Sequence, residues 1–222
     1  MDGWMTRYKA ICGQLGIDPK GDEEAARLAD ALVGGRHMAL EELRSVIEGR
    51  DAVVFGAGPS LESGSVGLKK DGRVFICSDG TISLLLKMGF IPEVDVTDLD
   101  GNIKDILRAN ELGTIAVVHA HGDNMDKLKR YLPLFKGKIV LTTQAEPIGK
   151  VRNFYGFTDG DRAVALAAYF GAGAIKLIGF DFGDIVGKYS NPAKPFKHKA
   201  DDKKKMKLAI AKQLVGEFLK KY

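Results

Sequence analysis

The chain has 222 residues, 45% hydrophobic and 28% charged, with a formal net charge of +4. That is enough apolar material for one main domain with a buried core, and no run of 18 apolar residues is present to cross a bilayer. The small positive balance suits anionic small molecules but is too weak for a nucleic-acid footprint, because the lysine excess is gathered near residues 194–221.

In chain order, residues 1–48 read as a helical N-terminal segment or cap. The opening MDGWMTRYKA lacks a signal-peptide core, which points to a cytoplasmic chain. Trp4, Tyr8, Ile11 and Leu15 keep helical spacing until Gly16 and Pro19 break it. A second helix follows from Asp22-Glu23-Glu24 with Ala25, Leu28, Ala29 and Leu32 on its face; a third presents Leu40, Leu43, Val46 and Ile47.

From residue 49 to 222 the pattern is that of an α/β domain. Short apolar, β-rich runs at 52–55, 73–77, 94–97, 114–118, 138–142 and 174–179 are mostly separated by helical stretches at 81–88, 102–111, 124–132 and 161–170, before a last helix at 201–221. Such alternation predicts a Rossmann-like, mostly parallel sheet with helices on both faces. Cys12 and Cys77 are too few and too far apart for a disulfide framework or a zinc motif, and Cys77 reads as a small buried hydrophobe.

Ligands of parallel α/β sheets bind beyond the carboxyl ends of the strands, so the residues that follow each strand carry the most information. Asp79 follows the second strand; Asp98 and Asp100, spaced D-x-D, follow the third. On an extended backbone Asp98 and Asp100 point the same way. With Asp79 they would suit a hard cation such as Mg²⁺ that bridges to substrate phosphates. After the first strand, Gly56-Ala57-Gly58-Pro59-Ser60 reads as an anion-binding turn with Ser60 as helix cap, although Leu61 breaks the dinucleotide fingerprint. After the fourth, His119-Ala120-His121-Gly122-Asp123 is open to two readings, an H-x-H metal site of a hydrolase or a packed His119 with His121 bonding a neighbouring loop, and Asp123 could equally cap the helix at 124–132. Thr143-Gln144 follows the fifth. Segment 152–162, RNFYGFTDGDR, combines a turn and helix start with Asn153, Phe157 and Asp159, a set that also suits a flat heterocycle. The stretch 194–207 holds seven lysines, either a solvated run or a flap over a triphosphate.

These motifs carry a resemblance. The run from Asp79 to Asp100, D-G-x-x-x-x-L-L-x-x-G-x-x-P-x-x-x-x-x-D-x-D, resembles the thiamine pyrophosphokinase signature. More specifically, GAGPSL, CSDG, TDLDG, HAHGDN, TTQ, NFYGFTDGDRA and IGFDFG, in that order over roughly residues 50–220, are similar to the archaeal 6-hydroxymethyl-7,8-dihydropterin diphosphokinase family. The resemblance implies transfer of the diphosphate of ATP to a reduced pterin, with AMP released. It implies a nucleotide-binding catalytic domain in which Asp79, Asp98 and Asp100 hold Mg²⁺ and Asp123 and His121 assist. Gly56, Gly58, Pro59 and Ser60 would then lie on the nucleotide, and Gln144, Asn153, Phe157 and Asp159 on the pterin. The β-sandwich of thiamine pyrophosphokinases has no counterpart here, since the chain turns lysine-rich and helical after residue 180. The expected partners are therefore ATP and a reduced pterin, with no nucleic acid and no membrane, and the sequence is compatible with a homo-oligomer. Thiamine diphosphokinase, a hydrolase built on His119, His121 and Asp123, and a nucleotide-binding module without turnover stand as the alternatives.

Overall fold

The computed structural model describes residues 3–221; Met1, Asp2 and Tyr222 lie outside the described residues. Six parallel strands form the sheet: β1 (Ala52–Phe55), β2 (Val74–Ser78), β3 (Val94–Thr97), β4 (Ile115–His119), β5 (Ile139–Thr142) and β6 (Ile175–Ile178). Their order is β5-β4-β3-β2-β1-β6. The chain steps outward in one direction from β1 to β5, then returns past β1 to lay down β6.

Right-handed crossovers of a chain stepping one way place all their helices on one face, and the return crossover must use the other. The two cores follow that rule. Val53, Phe55, Phe75, Cys77, Val118 and Leu141 pack with α2 (Pro19–Val33), α5 (Ile82–Lys87), α6 (Ile103–Glu111) and α7 (Met125–Tyr131). The alternate residues Val54, Val74, Ile76, Val96, Val117 and Val140 pack with α1 (Trp4–Leu15), α3 (Leu40–Ile47), α8 (Asp159–Tyr169) and α9 (Asp202–Phe218). The expected mostly parallel sheet covered on both faces is thus observed, and Cys77 is buried as expected.

The helical start of the chain is divided between the two layers, α1 and α3 on one and α2 on the other. Small residues let α2 approach closely: Ala25, Ala26 and Ala29 are fully buried, and a Cβ on Gly21 would sit 3.2 Å from the Gly122 Cα. Elements match the expected ranges to within about two residues, except for three short additions. These are α4 (Leu61–Gly64) and the antiparallel pair β7 (Ile185–Val186) and β8 (His198–Lys199). Most lysines of the stretch 194–207 are exposed, as a solvated run would have them, while Lys204 and Lys207 are half-buried. The segment before it, between β7 and β8, passes over the carboxyl end of the sheet, where the Tyr189 carbonyl lies so close to Gly80 that no side chain would fit there.

Candidate active site

The strand ends surround a cavity of ≈ 540 Å³ at the carboxyl edge of the sheet. One wall is the sheet rim: Gly56–Pro59, Ser78–Gly80, Asp98, Asp100, His119, His121 and the start of α8. The other is supplied by the two ends of the chain, Gly16–Asp18 with Gly21 and Asp22 on one side and Lys203, Lys204 and Lys207 on the other.

The carboxylates do not converge quite as the spacing predicts. β3 stops at Thr97, and Leu99 adopts a left-handed φ of 68° with its side chain buried. The D-x-D unit is therefore a tight turn, in which the Asp98 carboxylate accepts the Asp100 N–H at 3.1 Å, and not an extended pair. Asp100 swings aside into an ion pair with Lys127. The residues that do meet are Asp79, Asp98 and Asp159, each with a carboxylate oxygen within 4.8 Å of the others. Asp159, expected at a heterocycle slot, joins the acidic cluster because of how α8 begins. Thr158 caps the helix, and the Asp161 carboxylate turns back to accept the Phe157 and Thr158 N–H groups at 2.5 and 2.8 Å. Asp159, in the same first turn, is left facing the cavity.

Each carboxylate is held differently. Asp79 also has a left-handed backbone (φ 46°), and its Oδ1 accepts the Thr97 hydroxyl at 2.5 Å. Burial, then the neighbouring Asp98 charge, push its pKa up to about 7 against the hydrogen bonds of Thr97, Gly101 and Gly80. Burial works on Asp98 in the same direction. There it is outweighed by His121, Arg162 and Lys127, which hold Asp98 below the ordinary carboxylate range. Asp159 is raised well above that range by burial and then by Asp98 and Asp79. Its buried Oδ1 has no hydrogen bond, only the Arg162 guanidinium at 3.5 Å. Three hard oxygen donors around a space, one of them unsatisfied, fit a divalent cation such as Mg²⁺.

Behind the cluster lies Arg162, 1% exposed, which the sequence reading placed in the segment 152–162 without a role of its own. Its Nη2 donates to the Phe157 carbonyl (3.2 Å) and Gln144 Oε1 (3.3 Å) and lies 3.0 Å from His119 Nε2. A guanidinium can only donate and Nη2 carries two hydrogens for these three neighbours, so His119 Nε2 faces it as an acceptor, while His119 Nδ1 is buried without a hydrogen-bond partner. Burial, then Arg162, keep that imidazole neutral, well below its ordinary pKa. His121 Nδ1 accepts the Asp123 N–H at 3.3 Å, and its Nε2 faces Asp98 Oδ2 at 3.5 Å. Among the described residues His119, His121 and Asp123 do not bring three ligand atoms together, so the hydrolase reading finds no metal site there. Asp123 lines the cavity outside the acidic cluster.

Two other expectations are corrected. The glycine-rich turn lines the cavity, but three of its N–H groups are already used: Gly56 donates to Ile178 O, Gly58 to Gly179 O, and Ser60 to Asp181 Oδ2. The Ser60 hydroxyl also binds Asp181 (2.9 Å) and caps no helix. The glycines are needed because β6 lies against β1, bringing the Gly179 carbonyl onto Gly56 and Gly58. Asn153 stands behind the wall, donating to the Gln144 and Ala145 carbonyls at 3.0 and 2.8 Å, whereas Gln144 and Phe157 reach the cavity as expected.

Asn124 and Asp22 escaped the sequence reading as contributors, while Lys204 belongs to the lysine stretch that it offered as a flap. Asn124 ties two strand ends together, donating to Asp98 O (2.9 Å) and His119 O (2.7 Å). Asp22, from α2, is 2% exposed and accepts from Tyr8, Gly122 and Gln144. Lys204 is largely buried, donates to Ser190 Oγ (3.3 Å), and has its pKa lowered by burial and by Lys207. Their only sequence signals were an acidic helix start and a lysine run, both of which usually mean solvated surface.

With that geometry in view, comparison with known proteins is informative. A family model described as "6-hydroxymethylpterin diphosphokinase MptE-like" matches residues 28–187. Curated proteins named "6-hydroxymethyl-7,8-dihydropterin pyrophosphokinase" align over nearly the whole chain. That of Pyrococcus furiosus is 46% identical over 222 residues, covering 98% of this chain and 93% of the relative. That of Methanothermobacter thermautotrophicus is 43% identical over 215 residues (96% and 92%). That of Methanocaldococcus jannaschii is 37% identical over 228 residues (97% and 94%). Among solved structures, the MAf glycosyltransferase of Magnetospirillum magneticum AMB-1 superposes with a TM-score of 0.57 at 14% identity, over 92% of this chain and 35% of that one. At that identity the likeness shows the fold alone.

Proposed function

The chain belongs to the MptE-like family of 6-hydroxymethylpterin diphosphokinases, and from that membership we propose that it transfers the terminal diphosphate of ATP to 6-hydroxymethyl-7,8-dihydropterin with Mg²⁺ as the assisting cation. As a member of that family it is a diphosphotransferase. The curated relatives carry pterin in their names, and no feature of the cavity favours thiamine.

The observation that carries the proposal is the meeting of Asp79, Asp98 and Asp159 within 4.8 Å in the lining of a cavity that Lys203, Lys204 and Lys207 also line. Carboxylates together with lysines make a slot for a polyanion that arrives with its own cation. Asp79, Asp98 and Asp159 would hold Mg²⁺, with Asp100 joining only when its ion pair with Lys127 opens. When bound, the cation supplies neutralisation of phosphate charge and a template for orientation.

The chain's residues do the rest. Arg162, anchored on Phe157 O and Gln144, fixes Asp159 from behind; Asn124 and Thr97 fix Asp98 and Asp79. Lys204 and Lys207 face the phosphates from α9 and offset the charge that shifts as the bond breaks. In the reaction the pterin hydroxymethyl oxygen forms a bond to the β-phosphorus. The bond from that phosphorus to the oxygen bridging to the α-phosphate breaks, AMP leaves with that oxygen, and the hydroxyl proton passes to a base on the cavity wall. His121, whose Nε2 faces Asp98, and the Asp98 carboxylate are positioned to receive it. The test is one incubation of the protein with Mg²⁺, ATP and the reduced hydroxymethylpterin. AMP and a pterin diphosphate in equal amounts are expected; ADP in place of AMP, or no turnover, overturns the reading.

A further inference from the structure

The cavity has two dissimilar ends on either side of the carboxylates. One is glycine backbone and apolar surface, with Gly56, Gly58, Phe180, Phe182, Ile185 and Val186. The other is polar and rigid, built on Asp22 and Gln144. Gln144 is fixed at every point: its carbonyl accepts from the Trp4 indole (2.9 Å) and Asn153, its Oε1 from Arg162, and its Nε2 donates to Asp22 Oδ2 at 2.7 Å. Because Arg162 can only donate, the amide orientation is settled. Asp22 Oδ2 also takes the Tyr8 hydroxyl at 2.5 Å, and Oδ1 takes the Gly122 N–H at 2.8 Å.

Counting what remains gives a specific pattern. One lone pair of Asp22 Oδ1 and one N–H of Gln144 Nε2 are unused, and both residues line the cavity. An anionic acceptor beside a neutral donor is the complement of a pyrimidinone edge that carries an amino group and a ring N–H next to a carbonyl. Resting on the function proposed above, we infer that Asp22, with Gln144, selects the acceptor by reading the amino-pyrimidinone edge of the pterin. The nucleotide is then left to the glycine and apolar end. Asp22 lies outside the matched span 28–187, whereas Gln144 and the acidic cluster lie within it.

The carboxylate makes the claim testable with one atom. Replacing the 2-amino group by oxygen turns the pterin into a lumazine, which presents an acceptor to Asp22 where the pterin presents a donor. Titration calorimetry would follow 6-hydroxymethyl-7,8-dihydropterin and its dihydrolumazine analogue binding to the full chain, with Mg²⁺ and α,β-methylene-ATP present. We expect the wild-type protein to prefer the pterin by at least about 30-fold, within the range for leaving a buried hydrogen-bonding group unpaired. Asp22→Asn, which can donate to the 2-oxo group, should bring that ratio below about threefold. A merely structural role would weaken both ligands alike and leave the ratio intact, and that result overturns the inference. So does a wild-type protein that binds the two equally. If Asp22→Asn does not fold, Gln144→Met carries the test: both compounds keep the 4-oxo group, so both should weaken about tenfold, and unchanged affinity overturns the assignment. A wild-type protein that binds neither compound yet releases AMP from ATP with another acceptor overturns the pterin reading itself.

Discussion

The two walls of the cavity are made by different means. The rim wall comes from turns at the ends of buried strands, where each carboxylate is set by its neighbours' backbone: Asp79 by Gly80 and Gly101, Asp98 by the Asp100 N–H, Asp159 by the cap of α8. The flanking wall comes from the two ends of the chain, which meet there only because α1, α2 and α9 pack on the finished domain. The difference teaches a division of labour. The carboxylates proposed to hold a cation sit on strand-end turns and at the start of α8, while the groups proposed to contact the substrate come partly from helices packed against the sheet.

The sharpest way to break that comparison is on the rim. Asp98→Asn and Asp159→Asn should each lower turnover by about 10³-fold, the scale for removing one preorganised electrostatic partner, with the thermal midpoint and pterin affinity little changed. Asp100→Asn should cost less, since that side chain is turned to Lys127. Steady-state kinetics of the three variants decides it, and an Asp100 variant as damaged as Asp98→Asn would mean that the ion pair opens in the working enzyme.

On the flanking wall the expected effect is smaller. Lys204→Met should reduce kcat/KM for ATP by about 10- to 100-fold while leaving pterin binding within about twofold. A variant with wild-type ATP kinetics would make this wall a passive cover.

The smallest effect tests the rim's interior rather than its chemistry. Asp95, in the middle of β3, is buried with both carboxylate oxygens unpartnered. Burial, reinforced by Asp79, pushes its pKa well above the ordinary value. A raised folded-state pKa means that no stability is lost below the unfolded value of about 4, and that loss grows as pH rises from there toward the folded value. Asp95→Asn removes this titration. Its thermal midpoint should match the wild type near pH 4 and exceed it by a few degrees at pH 8; a difference independent of pH would show that the carboxyl is paired in solution.

Much of this was legible in the residues. Near-continuous apolar runs alternating with helical stretches could only be a buried parallel sheet, because only such strands must be apolar on both faces. The chemistry at the strand ends follows from the same rule. The D-x-D geometry was not legible: extended and turned backbones share the same letters, and the choice was made by the close packing of Gly101 against Asp79 and by the burial of Leu99. The glycine turn misled for a related reason. Glycines that bring a backbone near phosphate and glycines that bring it near another strand look alike until β6 is seen beside β1.

By itself, then, the sequence determined the periodicities, the strand-end chemistry and the family, all of which are properties of residues near one another in the chain. The folded molecule alone decided that Asp159 replaces Asp100 in the acidic cluster, that Arg162 lies behind it, and that Asp22 and Lys204 close the cavity from opposite ends. Those are contacts between residues separated by scores of positions. Their formation depends on how two cores pack against a twisted sheet, and no local pattern encodes that.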